Sequence, residues 1–274
     1  MPVCDDARLL NRAARCLTVA LAEAGELALS HFRRGPRFWR KSDGTPVSEA
    51  DIAVDELLKT RLAAAFPDFG WISEESISFL PTAGSPTWIV DPIDGTRSFV
   101  DGEDGWCIAA ALVACGRPVV AGIVRPTTGE CFEAVAGGGA SLDGGVIRAS
   151  RRRELEGAKL MVKPRLLSRP DWARSWPPVH TGSTCSLALR LCHVATGRYD
   201  ATLALGDKAD WDLAAGDLIV HEAGGKVSDL EGVPLSYGPG RPGRSGFLAA
   251  GSGLYDEILQ HTAGRKAVPG GVHD

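Results

Sequence analysis

An apolar run, Trp88-Ile-Val90, leads directly into Asp91-Pro-Ile-Asp94-Gly-Thr96. The run reads as a buried strand. Pro92 is expected to end smooth continuation of that strand, and Gly95 permits a tight turn. Any fold for this chain must therefore place two carboxylates on a bent backbone at the end of a core strand. Such carboxylates can converge on one point, and hard divalent cations want oxygen ligands of that kind. Taken alone, the same residues equally suit a turn in which Asp91 or Asp94 caps the next helix.

Other segments add acids to the pattern. Ser73-Glu74-Glu75-Ser76 follows a second apolar run, Phe69 to Ser73, where the plain alternative is a solvated turn. Asp210-Trp211-Asp212 opens a helix after Gly206, and Asp212 suits the N-cap of that helix. Lys41 and Asp51 flank a loop. Ser48 followed by Asp51 is close to a capping box and opens a helix to about Phe66. The Gly95-Thr96 pair can turn backbone N–H groups toward a phosphate if a short helix begins there.

Helical spacing of Leu9, Leu10, Ala13, Leu17, Ala20, Leu21, Ala24, Leu27 and Ala28 predicts a helix over residues 6–33, ended by Gly35-Pro36. Residues 37–41 suit a short strand. Gly105 to Ala114, Val119 to Val124 and Cys131 to Val135 predict a meander, with turns at Gly116-Arg-Pro118 and Pro126-Thr-Thr-Gly129. A helix pair and a largely antiparallel sheet thus make a first lobe, residues 1–150. The basic stretch Arg148 to Glu156 is the expected boundary, with Arg151-Arg152-Arg153 as a solvated face. In residues 151–274, strands at 159–163, 201–205, 225–228 and 247–250 alternate with helices at 183–196, 212–223 and 254–261, which favours an α/β lobe. Residues 238–246 read as a flexible loop on composition.

The chain has 274 residues, 44% of them hydrophobic and 23% charged, which is ordinary globular composition. A net charge of -4 gives no sign of a nucleic-acid surface. The seven cysteines include no CxxC pair, as expected of reduced thiols in a cytoplasmic protein. No signal pattern and no apolar run of membrane-spanning length is present.

Two strings then act together: Trp88-Ile-Val-Asp-Pro-Ile-Asp-Gly-Thr96 and Trp211-Asp-Leu-Ala-Ala-Gly-Asp-Leu-Ile-Val-His-Glu-Ala-Gly-Gly225. In this order and separation they resemble the inositol monophosphatase family, within the lithium-sensitive, metal-dependent phosphatase superfamily. The resemblance covers roughly residues 8 to 262. It implies an α+β or α/β fold, a layered αβαβα sandwich of the inositol monophosphatase and fructose-1,6-bisphosphatase type. It also implies a homodimer and a phosphoric monoester hydrolase acting on a small phosphorylated metabolite.

The resemblance further implies two to three Mg2+ ions. Glu74, Asp91 and the carbonyl of Ile93 would hold the first, and Asp91, Asp94 and Asp212 the second. Glu74 would help hold a weaker third through waters. Asp51 and Thr96 would orient and deprotonate a metal-activated water that attacks directly, with no covalent phosphoenzyme. The competing role for Asp51 is the N3 capping position of its own helix. Lys41 would sit near the third ion and the water. Gly95 and Thr96 would bind phosphate oxygens, with Asp94 and Asp212 also facing substrate. Gly182-Ser183-Thr184 matches a segment lining the substrate pocket, and Ser183 suits a plain N-cap as well.

Three departures bear on the substrate. Ser73 stands where many members have Gly, and Ser48 replaces a common Thr. Inositol phosphatases proper carry a Glu shortly before the Trp-Asp motif, and apolar Ala204 and Leu205 occupy that neighbourhood here. The leading substrate is an inositol phosphate or related sugar phosphate. Gly206-Asp-Lys-Ala-Asp-Trp-Asp212 is also similar to nucleotidases for adenosine 3′(2′),5′-bisphosphate, where Asp207, Lys208 and Asp210 could contact the leaving group. Histidinol phosphate is a third option, and a non-catalytic regulatory protein is a different class. The complete acidic set favours an enzyme, and it carries an expectation of inhibition by lithium.

Overall fold

A computed structural model of the chain describes residues 6–42, 44–79, 85–172, 174–239, 241 and 244–262. Helix α1, Ala7–Arg34, starts where the Asp6 carboxylate accepts the N–H groups of Arg8 and Leu9. It ends at Gly35 with φ of 75°. Of its expected apolar stripe, Leu10, Ala13, Leu17, Ala20, Leu21, Ala24 and Ala28 are buried, and Leu9 and Leu27 are half-buried. Strands β1, Phe38–Arg40, and β2, Pro46–Ser48, form a small antiparallel arm leading into α2, Glu49–Ala65.

The next segment builds an eight-stranded sheet. It comprises β3 (Gly70–Ser73), β4 (Ile77–Phe79), β5 (Thr87–Asp94), β6 (Cys107–Ala114), β7 (Arg117–Arg125), β8 (Glu130–Val135), β9 (Gly139–Leu142) and β10 (Gly145–Val146). Short α3, Thr96–Val100, follows β5. The strand order is β10-β9-β8-β7-β6-β5-β3-β4, antiparallel except between β3 and β5.

Two expectations change here. Pro92 does not end β5, which runs on to Asp94 across an irregularity between Asp91 and Asp94. The missing proline N–H falls in a bulge, where no ladder bond is lost. The β6–β7 turn lies at Cys115 and Gly116, with φ of 52° and 75°, and Arg117 and Pro118 already belong to β7. A two-residue turn with both φ values positive matches the twist of the flanking strands.

The remaining elements are β11 (Lys159–Met161), α4 (Pro164–Leu167), β12 (His180–Gly182), α5 (Leu187–Ala195), β13 (Ala201–Leu205), α6 (Asp210–Glu222), β14 (Gly225–Ser228), β15 (Gly246–Gly251) and α7 (Tyr255–Thr262). Their five strands order as β12-β11-β13-β15-β14. The first three run parallel, and β15 and β14 are antiparallel to their neighbours. Helix α5 starts at Leu187, capped by Ser186, four residues later than the helical spacing suggests. Gly240, Pro242 and Gly243 of the loop read as flexible lie outside the described residues.

Three buried clusters bind five layers. Along β6, Ile108, Ala110 and Leu112 pack against α1 and α2, whereas Cys107, Ala109 and Ala111 pack against α5 and α6. This is the period-two alternation of a sheet covered on both faces. Phe247 and Ala249 of β15 share the α5–α6 cluster, and Leu248 and Ala250 face a third cluster with Leu166, Leu254 and Ile258. The layers therefore run helices, sheet, helices, sheet, helices. No helix among the described residues is long and apolar enough to cross a membrane.

Candidate active site

Strand β5 delivers the first two acids. Asp91 pairs with Ala109 and Asp94 with Cys107, so three residue steps on β5 face two on β6. In a regular strand, residues three apart point to opposite faces. The extra step restores them to one side. Asp212 joins from α6, and one oxygen from each of Asp91, Asp94 and Asp212 lies within 4.8 Å of the others. Asp212 is the third residue of its helix rather than the N-cap, and its carboxylate accepts the N–H of Ala209 at 3.0 Å.

Asp94 is also tied to α5. It accepts hydrogen bonds from Ser186 Oγ at 2.6 Å and from the N–H groups of Ala188 and Leu187 at 2.6 and 3.3 Å. Ser186 Oγ in turn accepts from Leu189 N–H at 2.9 Å and lies 3.3 Å from Cys107 Sγ. A helix N-terminus favours an adjacent negative charge. Ser186 was not singled out in the sequence. Its signal is a serine directly before the apolar run Leu187-Ala-Leu189.

Burial raises every acid of the trio. Asp91 is pushed well above the usual carboxylate range by burial and then by the charges of Asp94, Glu74 and Asp212. Asp94 is pushed up to about 6 by burial, against the Ser186, Ala188 and Leu187 hydrogen bonds. Asp212 rises to about 7 through burial, reinforced by Asp94 and Glu74. An all-oxygen set of crowded acids fits a hard divalent cation, which would relieve both burial and repulsion.

Beside the trio lies a second, smaller constellation. Asp51, 1% exposed, closes the predicted capping box: its Oδ2 accepts from Ser48 N–H at 2.8 Å and Ser48 Oγ at 2.6 Å. Its other oxygen lies 3.4 Å from Thr96 Oγ1, which is also 3.0 Å from the carbonyl of Ile93. The two readings of Asp51 are thus compatible, because each oxygen serves one of them. Burial pushes Asp51 up to about 6.

Lys41, from the loop between β1 and β2, sits 3.0 Å from Glu74 and 2.6 Å from Glu75. Burial works against its charge, but the hydrogen bonds and charges of these glutamates outweigh that and raise its pKa. Glu74 lines the cleft without joining the carboxylate trio.

Gly95 has φ of 99°, and a Cβ there would lie 2.7 Å from the carbonyl oxygen of Gly105. Only glycine fits at this point of approach.

Glu74, Asp91, Ile93, Asp94, Gly95, Thr96 and Asp212 line an open cleft of about 980 Å³, together with Ser183, Thr184, Ala204 and Lys208, whereas Lys41 and Asp51 are not part of its lining. Gly182 ends β12 and does not line the cleft; a Cβ there would strike the Tyr199 hydroxyl at 2.3 Å. Ser183 lines the cleft but does not cap α5.

The profile of the inositol monophosphatase family matches residues 10–264. The chain belongs to that family. A Nus factor SuhB of Xylella fastidiosa is 34% identical over 231 residues, 81% of this chain and 83% of that one. Inositol monophosphatase 2 of Solanum lycopersicum is 34% identical, covering 78% and 85% of the two chains. The extragenic suppressor protein suhB of Bartonella henselae superposes with a TM-score of 0.79 at 26% identity, over 91% and 98%. This family member is a phosphoric monoester hydrolase with the layered fold of its solved relatives. The family uses divalent metal ions, and the Asp91–Asp94–Asp212 cluster is the matching acidic group here.

Proposed function

We propose that this phosphatase hydrolyses an inositol phosphate or related sugar phosphate with magnesium, by direct attack of water on phosphorus. The observation that carries the reading is the buried Asp91–Asp94–Asp212 trio at the floor of an open cleft. Asp91, Asp94, Asp212, Glu74 and the Ile93 carbonyl would hold two to three Mg2+ ions. When bound, magnesium neutralises the phosphate and acidifies the attacking water.

The chain supplies the rest. Asp51 accepts the Thr96 hydroxyl proton, so Thr96 Oγ1 can orient the attacking water and take its proton while passing its own to the Asp51 carboxylate. Lys41 holds Glu74 and Glu75 in place. Gly95 and Thr96 support the phosphate, and Ser183 faces the alcohol from the start of the α5 segment. The same reading includes inhibition by lithium at the Asp91–Asp94–Asp212 site, a homodimer and a cytoplasmic location.

The deciding experiment compares turnover of inositol 1-phosphate and adenosine 3′,5′-bisphosphate on one preparation, with magnesium and with EDTA. Magnesium-dependent release of phosphate that drops at least about 100-fold in Asp94→Asn is the expected result. Phosphate release that ignores magnesium and Asp94 overturns the metal assignment. The bisphosphate is the second reading, favoured by apolar Ala204 in the cleft wall, which offers a sugar ring no hydrogen-bond acceptor.

A further inference from the structure

Strand β1 stands on the outside of its two-stranded arm. All of Phe38–Arg40 is exposed, whereas Val47 and Ser48 of β2 are buried. Phe38 is 52% exposed and Trp39 49%. Among the residues whose burial is described, no other Phe, Trp or Tyr is exposed. Charge gathers at the same place. Residues 31–42 hold Arg33, Arg34, Arg37, Arg40 and Lys41 and no acid, in a chain of net charge -4; Asp43 follows, outside the described residues. Arg33, Arg34 and Arg37 are exposed, and among the described residues their side chains make no hydrogen bond or ion pair. Glu49 turns instead to His31, 3.4 Å away, and to the backbone N–H of Arg37. Arg40 donates to the Gly44 carbonyl at 2.8 Å, and Lys41 is held by Glu74 and Glu75.

Arg33 and Arg34 complement the dipole of α1 in its last turn, but that leaves Arg37, Arg40 and the two rings without a structural role. Rings beside unpaired arginines suit a surface that is anionic outside and apolar just beneath. At a bilayer interface, Trp and Phe rings sit at headgroup level, and arginine lays its stem on apolar surface while its head meets phosphate. Two other occupants fit less well. A single strand of nucleic acid stacks successive bases on aromatic rings, and Phe38 and Trp39, adjacent in a strand, point to opposite faces. A second copy in a two-fold contact would set these arginines against their own equivalents.

We propose that β1 and the end of α1 dock on a bilayer surface that carries anionic lipid. Phe38 and Trp39 enter the headgroup layer, and Arg33, Arg34, Arg37 and Arg40 meet lipid phosphates. This goes beyond the phosphatase reading, and no step of the reaction depends on it. The same arm continues through Lys41 to Thr45 and Pro46 in the wall of the cleft, so the docked protein holds its cleft close to the lipid surface.

The test is sedimentation of the full chain with vesicles of phosphatidylcholine, alone or with about one-third phosphatidylglycerol. The wild type should partition onto the anionic vesicles and not onto the neutral ones, and less so as salt rises. Arg34→Gln/Arg37→Gln should weaken partitioning roughly 30-fold, and Phe38→Ser/Trp39→Ser by about tenfold or more. All four side chains are exposed, so both variants should keep the wild-type melting temperature. The control, Arg151→Gln/Arg153→Gln, removes the same charge from an exposed basic run with no aromatic residue in the surrounding sequence. Equal losses in the two arginine pairs would mean attraction by net charge alone and overturn the proposal. Wild type that ignores anionic vesicles overturns it as well. A uridine oligonucleotide, or a second copy, whose binding is then lost in Phe38→Ser/Trp39→Ser would be the arm's partner instead.

Discussion

Asp91, Asp94 and Asp212 hold their oxygens within 4.8 Å of one another, and all three have raised pKa values. A carboxyl whose pKa is raised on folding binds more protons in the native state than in the unfolded one. Its contribution to stability is complete below the unfolded pKa and is lost as pH rises through the folded value. For Asp51 and Asp94 that value is about 6 and for Asp212 about 7. In EDTA the melting temperature should therefore fall between roughly pH 4 and pH 7. Magnesium should raise it, and more at pH 7.5 than at pH 5. A metal-induced shift of equal size at both pH values would show that the trio is not where the ion binds. The individual acids were legible because strand ends and helix starts can be read locally. Glu75 was legible only as a neighbour of Glu74, since its contact with Lys41 spans 34 residues and leaves no periodic trace.

Helix α5 shows the same limit among the elements. Its apolar spacing was readable, but its first residue was not, because Ser183 and Ser186 are both serines ahead of one run. Tertiary structure decides between them: Ser186 alone can cap α5 and also donate to Asp94. Ser186→Ala removes both bonds and should cost about 2 kcal/mol. It should also push Asp94 further up, so the acid limb of the pH–rate profile moves to higher pH. Urea melts and that profile check it; a stability loss with an unmoved acid limb would leave Ser186 as a cap and nothing more. Strands β9, β10 and β12 escaped the sequence pattern because they are short and Gly-rich or exposed. The meander was legible because its strands are long and apolar.

Across the whole molecule, the central cluster joins β6 of the first sheet to Phe247 and Ala249 of the second through α5 and α6. At the contact between those helices, a Cβ on Gly216 would lie 2.3 Å from Leu191. The two sheets therefore share one core, and unfolding should be a single transition with calorimetric and van't Hoff enthalpies in agreement. Two resolved transitions would mean that the shared cluster couples them weakly. Such sharing was not legible, since an alternation of strands and helices does not say which sheet a helix covers.

Asp94 stands on the first sheet, while the N–H groups it accepts belong to Leu187 and Ala188 of a helix from the other half. Those two amides are consequently a built-in gauge of the site's charge. Their proton resonances should shift when Asp94 gains a proton or a cation, at a residue more than ninety positions away in the chain. Magnesium titration followed at those two resonances reads the occupancy of the carboxylate trio directly, with no substrate present.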